Sequence, residues 1–487
     1  YFFAREAKGH GVPEVMYAIT EKKGVIRPRI VIAKALASAL SIGSGGSVGR
    51  EGPIVQIGSA WGSTFGQFLG VRENQLRTLV ACGAAAGIAA TFNAPIGGVL
   101  FASEIILGSF AMTNLGSIVV ASVLAATIGR IYFGNSASFP IPSYRVTGIL
   151  PLGAFIILGV LGGLFGVFYS RVLYAFEDFW DRLKKIPEWV KPAIGGVIIG
   201  AVGFFVPQVF GVGYPTAEQA LLNNLGIWTM LMLLVLKLFV TSTTIASGGS
   251  GGVFAPGLFM GAMLGGIWGD IANSIFPGIT VTNGAFAMVG MATVFAGSAR
   301  APITAIVMLF EMTGNYELIL PLMLSTVVGT TIASVIERES IYTMKLKRRG
   351  VDIILKRSSD RLSSIFVREA MRPIILTATE SMKIIDAVDL FEDNVERFAV
   401  LRSDEGRARG IISRSQLFAE LKSNHGKERL GTVSPLKTGC VLTDSRLADA
   451  SKIMSDLNVP FLLVLDEEGD PAGTIDTDAI VHLYGKK

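Results

Sequence analysis

Glu51 is the side chain whose position in this 487-residue sequence most invites chemistry. It lies in Gly49-Arg50-Glu51-Gly52-Pro53, one of three Gly-rich elements that end in proline and lead into apolar stretches. The others are Gly9-His10-Gly11-Val12-Pro13 and Gly252-Val253-Phe254-Ala255-Pro256. Proline costs nothing in a first helical turn, where its missing N–H would have had no partner, so each element reads as a helix N-terminus. Unpaired amides and the positive end of the helix dipole favour an anion at such an end. Several ends converging would hold an ion such as chloride without a buried full positive charge, which would bind it too tightly for conduction. A carboxylate placed among those groups is costly unless paired or protonated. Glu51 can therefore compete with the anion, and its protonation or displacement would open the path. The plainer alternative is a Glu that complements the dipole of its own helix.

The elements that position these residues belong to a membrane. Hydrophobic residues make up 51% of the chain and charged residues 17%, against about 25% charged in soluble domains. Residues 1–350 hold 24 Lys/Arg and 16 Asp/Glu, and residues 351–487 hold 19 and 22. The overall charge of +5 thus averages two different objects and does not signal a nucleic-acid binder. We expect a membrane domain over 1–350, a linker over 351–362 and a soluble tail. Tyr1 is not preceded by Met or a leader-like segment, so part of the N-terminal region is expected to be missing. Two cysteines, Cys82 and Cys440, cannot build a disulfide framework or a multi-Cys metal site.

Residues 151–174, 192–211, 226–246 and 317–336 approach the roughly 20 residues needed to cross a bilayer. Residues 53–70, 79–92, 95–107, 253–268, 286–297 and 301–312 are broken by Gly or Pro and read as incomplete helices, tolerated at membrane depth where their ends line a cavity or pack in protein. An internal repeat runs through them. Cys82-Gly83, Ala94-Pro95-Ile96 and Glu104 are echoed by Val289-Gly290, Ala301-Pro302-Ile303 and Glu311, all displaced by 207 residues, and Gly43–Gly46 is echoed by Gly249–Gly252. Two halves with matching breaks predict an all-α polytopic domain of inverted repeats with a substrate site near the midplane.

The tail repeats as well. Asp386-Ala387, Phe398, Gly410 and Leu417 recur 63 residues later as Asp449-Ala450, Phe461, Gly473 and Ile480, giving two α/β modules over 363–425 and 426–487. Lys345, Lys347, Arg348 and Arg349 follow the last apolar stretch and place the tail on the cytoplasmic side by the positive-inside tendency.

The three Gly-rich elements, Val55-Gln56-Ile57-Gly58 after the second, and Tyr342 after Glu339-Ser340-Ile341 resemble, in order and spacing, the CLC family of chloride channels and chloride/proton exchangers. The resemblance spans essentially the whole chain, the tail resembling a CBS pair. It implies that Glu51 is the gating glutamate, that the amides of Val253 and Phe254 contact the central anion, and that the Tyr342 hydroxyl completes that site. His10, Gly11, Arg50, Gly52 and Ala255 are the remaining anion-site candidates on the same three ends. It also implies a homodimer with one pathway per subunit. Two departures matter. His10 stands where the family usually has serine, and an imidazole can gain charge near neutral pH. Ile105 stands where family exchangers carry a second Glu that passes protons inward, and isoleucine carries none. Passive, gated chloride conduction is the expectation, with proton-coupled exchange as the alternative. CBS pairs often bind adenine nucleotides through an acid six residues after the strand glycine. Those positions are Gln416 and Ala479, so nucleotide binding is not expected, nor is any other cofactor.

Two other classes can be weighed. Gly45-Gly46-Ser47-Val48-Gly49 and Gly248–Gly252 match the hydrolase pattern G-x-S-x-G, but that elbow needs a preceding strand, and Ile30–Leu40 reads as a helix; His425 and His482 fall in the tail. A CBS-regulated magnesium transporter would need several carboxylates, where the membrane part offers Gly-rich helix ends.

Overall fold

The computed structural model describes residues 4–135, 139, 144, 150–276, 281–354, 362, 365–373, 376–392, 398–436 and 438–480. Two compact units meet at residues 353 and 354. Residues 355–361 of the expected linker, and His482, lie outside the described residues.

The first unit is helical. Its elements are α1 (Val12–Glu21), α2 (Arg29–Gly43), α3 (Glu51–Phe68), α4 (Glu73–Phe92), α5 (Pro95–Phe101), α6 (Met112–Phe133), α7 (Leu150–Arg182), α8 (Lys191–Phe205), α9 (Tyr214–Leu221), α10 (Ile227–Ala246), α11 (Phe254–Ile275), α12 (Asn283–Ala299), α13 (Pro302–Thr313), α14 (Ile319–Ile336) and α15 (Thr343–Lys347). In hydrocarbon each backbone polar group must be satisfied within its own segment, which makes the helix the default for these apolar runs. Among the described residues six helices are long and apolar enough to cross a membrane, including α4, α6, α7, α10 and α11.

Two stretches expected to be incomplete helices are not. Residues 79–92 belong to the 20-residue α4 and residues 253–268 to the 22-residue α11. Their glycines are packing positions rather than breaks. A Cβ on Gly58 or on Gly83 would overlap the other's carbonyl oxygen where α3 crosses α4, and Gly261 and Gly290 repeat that crossing between α11 and α12. Small residues let helix backbones approach this closely. The short segments are real elsewhere: α5 has seven residues, continues as a π-helical turn over Ala102–Leu107, and stops at Gly108 with φ 69°. Helix α6, a further apolar helix, was not singled out in the sequence.

The repeat is structural. Helices α2–α6 recur as α10–α14, and Asn93 after α4 and Arg300 after α12 both take left-handed φ values, 55° and 58°. Glu104 accepts hydrogen bonds from the amides of Ile303 (3.2 Å) and Thr304 (2.7 Å) at the start of α13. Its repeat mate Glu311 accepts from Ile96 (3.0 Å) and Gly97 (2.6 Å) at the start of α5. Each half caps the other's broken helix in the same way, as an approximate two-fold relation between them requires.

The second unit is α/β, with strands β1 (Arg372–Pro373), β2 (Thr377–Thr379), β3 (Phe398–Arg402), β4 (Ala408–Ser413), β5 (Gly439–Leu442), β6 (Phe461–Leu465) and β7 (Pro471–Asp476). They form two sheets, ordered β2-β3-β4 and β1-β7-β6-β5. In each, a short strand runs parallel to its neighbour, which pairs antiparallel with the next: β2 with β3 and β4, β5 with β6 and β7. Even the register shift recurs, at Leu401/Arg402 and again 63 residues on at Val464/Leu465. The leading strands β2 and β5 were not anticipated, and Gly410 and Gly473 each sit third in their strands.

Candidate functional site

The loops that carry the three Gly-rich elements are hydrogen-bonded to one another. Gly49 N–H donates to Gly252 O at 2.8 Å and Gly252 N–H returns to Gly49 O at 2.6 Å, while Gly9 bridges to Ser250 in parallel. The N-termini of α1, α3 and α11 therefore converge, as the sequence predicts. Glycine is needed at the crossing. A Cβ on Gly52 would overlap the carbonyl oxygen of His10, and one on Gly11, at φ 79°, would lie 2.8 Å from Gly52 O.

Two buried lysines that the sequence reading missed anchor this arrangement. Lys34 on α2 donates to Ala7 O (3.0 Å) and Gly9 O (2.7 Å). Lys237 on α10 donates to Val209 O (3.1 Å) and Gly211 O (2.8 Å). The lysines are 203 residues apart, and the loops they hold are Gly9-His10-Gly11-Val12-Pro13 and Gly211-Val212-Gly213-Tyr214-Pro215. The second is a fourth helix-start element, at the head of α9, with positive φ at both glycines like the first. Its G-x-G-x-P pattern was legible in the sequence. In a planar trans peptide the carbonyl and the N–H point opposite ways, so a carbonyl held on lysine turns its amide partner away from that lysine.

Glu51, the first residue of α3, is buried at 1% exposure. Its Oε1 accepts a 2.5 Å hydrogen bond from the Tyr214 hydroxyl, and its Oε2 is buried without a hydrogen bond, near the amides of Glu51 itself and Ala255. Val253 precedes α11 and Phe254 opens it; both are buried, with the Phe254 ring 5.3 Å from Phe92 and 4.4 Å from Phe295 by centroids. Tyr342 is buried at the head of α15, its ring 6.1 Å from that of His10, and its hydroxyl has no hydrogen-bond partner among the described residues. His10 is buried too. Its Nε2 lies 3.5 Å from the Tyr174 hydroxyl, whose proton goes to Ile341 O, and its Nδ1 is unpaired. Arg50 is the outlier of the set: its side chain is exposed, reaches Thr91 O at 3.5 Å and lies 5.9 Å from the Tyr214 ring centroid. Ile105 is buried in the π-helical turn.

A cavity of about 330 Å³ opens beside Gly9, lined by Lys8, Glu177, Asp181, Lys345, Arg348 and Arg349. The basic cluster after the last apolar helix is paired residue by residue: Lys345 with Glu177 (3.4 Å), Lys347 with Glu339 (3.1 Å), Arg348 with Asp178, and Arg349 with Glu14 (2.6 Å). Ser47 follows a helix rather than a strand, and its Oγ lies 3.3 Å from Thr241 Oγ1. That removes the geometry a nucleophile elbow needs. Among the described residues no three His, Cys, Asp or Glu side chains could share a metal ion.

Helix N-termini from two repeated halves, converging on a buried carboxylate inside an apolar bundle, are an arrangement suited to an anion within a membrane transport protein. Residues 1–334 match the model of the voltage-gated chloride channel family, and residues 367–423 match that of the CBS domain. The chain belongs to this CLC family of chloride transport proteins and is a multi-pass integral membrane protein. It is 35% identical over 349 residues to a protein of Ralstonia nicotianae named as a ClcB-like chloride channel protein, covering 71% of this chain and 81% of that one. Over 352 residues it is 34% identical to the H(+)/Cl(-) exchange transporter ClcA of Vibrio cholerae, covering 71% and 75%. Among solved structures, a slow cyanobacterial Cl-/H+ antiporter superposes with a TM-score of 0.67 at 29% identity, over 72% of this chain and 82% of that one. A eukaryotic CLC transporter, at 21% identity and TM-score 0.61, shares the fold over 98% of this chain and 86% of its own.

Proposed function

We propose that the chain exchanges chloride for protons, with Glu51 as both gate and proton acceptor. The observation that carries this is the buried Glu51 carboxylate at the meeting of α3 and α11, one oxygen unpaired where an anion would bind. A carboxylate there must be neutralised or displaced before chloride passes, and neutralisation is proton uptake. The amides of Val253 and Phe254, the N-terminus of α1 at His10 and Gly11, the Gly52 and Ala255 backbone, and the Tyr342 hydroxyl form the anion site in this reading. Arg50 contributes only its place before α3. The expectation of passive conduction rested on Ile105. The relatives weigh the other way, since the Vibrio transporter and the cyanobacterial structure are both described as exchangers.

A passive channel remains the second reading because Ile105 supplies no proton carrier on the inner side. Reversal potential in liposomes separates the two. Under a chloride gradient with a superimposed proton gradient, an exchanger departs from the chloride equilibrium potential and Glu51→Gln abolishes the departure. A potential fixed at the chloride value whatever the pH would overturn exchange. In the same reading the protein is a homodimer with one pathway per subunit, and the tail is a cytoplasmic CBS pair without a nucleotide.

A further inference from the structure

We propose that Tyr214 is a latch on the gate: its phenol holds the Glu51 carboxylate across the anion path and sets the pH at which the path opens. The inference rests on the reading of Glu51 as the gate. Among the described residues, Tyr214 is the only side chain that donates a hydrogen bond to Glu51, at 2.5 Å to Oε1, while Oε2 lies near the amides of Glu51 and Ala255. The phenol cannot follow the carboxylate if it swings. Its ring is packed edge-on against Phe139 (5.4 Å, 87°) and Phe92 (6.3 Å, 61°), with the Arg50 guanidinium 5.9 Å from its centroid.

The loop beneath it is held as firmly. Lys237 pins Gly211 O, and Gly213 at φ 86° precedes α9, so Tyr214 enters the site from a helix end fixed by the second half of the molecule. The equivalent position in the first half is Val12, which has no donor. The second half thus supplies a donor, where the first has none, to the half that carries the gate. Titratable and charged groups around Glu51 are Arg50 on its own helix, Tyr214 on α9, and Tyr342 beyond; Lys237 lies behind the Tyr214 loop. A hydroxyl donated to a carboxylate favours the charged form, so proton uptake must break or reverse this bond before the gate lets go.

The test is chloride efflux from liposomes containing the full chain, with pH varied equally on both sides. Tyr214→Phe keeps the ring contacts and removes only the donor. Its efflux profile is expected to move by about one pH unit towards higher pH relative to wild type. Glu51→Gln should lose the wild-type step and keep only the response expected of His10, and the double variant should match Glu51→Gln. A Tyr214→Phe profile that superimposes on wild type, even at a lower rate, overturns the latch while a Glu51→Gln profile without the step leaves the gate standing. A shift that persists in the Glu51→Gln background also overturns it. If Glu51→Gln itself retains the wild-type profile, the gate reading fails and the latch with it.

Discussion

The hydroxyl of Tyr342 has no hydrogen-bond partner among the described residues where its ring meets His10, which makes its donor available to an anion. A hydrogen bond to a charged group contributes about 1.5–3 kcal/mol, and Tyr342→Phe is expected to weaken chloride binding by about one order of magnitude or more in calorimetry. An unchanged affinity would assign the work to backbone amides. His10 offers a second test. With the Tyr174 proton given to Ile341 O, the ring faces that hydroxyl through an Nε2–H, leaving Nδ1 as a bare acceptor. A lone pair repels chloride and an N–H⁺ attracts it; burial first, and then Lys345, hold the imidazole well below its usual range, so chloride affinity should rise only as pH falls well below neutrality. In a Glu51→Gln background, which removes the other proton acceptor, His10→Ser should flatten that dependence. Calorimetry of chloride binding across pH checks it, and identical profiles with and without His10 would refute the role.

At the scale of elements, the reciprocal caps are the most exposed to test. Glu104 satisfies two amides and the Thr304 hydroxyl at the start of α13, and Glu311 satisfies two amides at the start of α5. Removing either carboxylate leaves amides of a broken helix without acceptors. Glu104→Ala is expected to cost about 1–2 kcal/mol, read as a lower unfolding temperature in detergent. The lysine clamps go further, because Lys34→Met takes the side-chain donor from Gly9 O and leaves Ala7 O only the Ser250 hydroxyl at 2.9 Å, and a buried carbonyl left unpaired costs about 1–3 kcal/mol. Lys34→Met should therefore destabilise the fold more than Glu104→Ala, and the reverse order would mean that the loop re-pairs its carbonyls when the lysine is removed.

At the scale of the whole molecule, the tail is a pair of repeats in which Gln416 and Ala479, where the resemblance to CBS pairs would put a nucleotide-binding acid, make local hydrogen bonds instead. Gln416 closes a capping box with Ser413, its Oε1 3.0 Å from the Ser413 amide, and Ala479 donates its amide to Asp476 at 2.6 Å. Titrating ATP into the full chain is expected to show no micromolar binding, and such binding would place the ribose contact elsewhere in the module.

Much of this was legible from residue order alone. The three helix starts and the 207-residue repeat follow from Gly-Pro placement, because proline and glycine leave local, rigid signatures, while the 63-residue repeat rests on Asp-Ala, Phe and Gly anchors and the family on those helix starts together with Tyr342. What the sequence misjudged was packing. Gly83 and Gly261 look like breaks in a one-dimensional window, and only the crossing helices show them as contact points inside continuous α4 and α11. The fourth helix start at Gly211–Pro215 was there to be found as a repeat of Gly9–Pro13. That Tyr214 at its head reaches Glu51, 163 residues earlier, was not. Local propensity sets which residues begin a helix; which helix ends face one another depends on how two halves pack, and tertiary structure alone determines that.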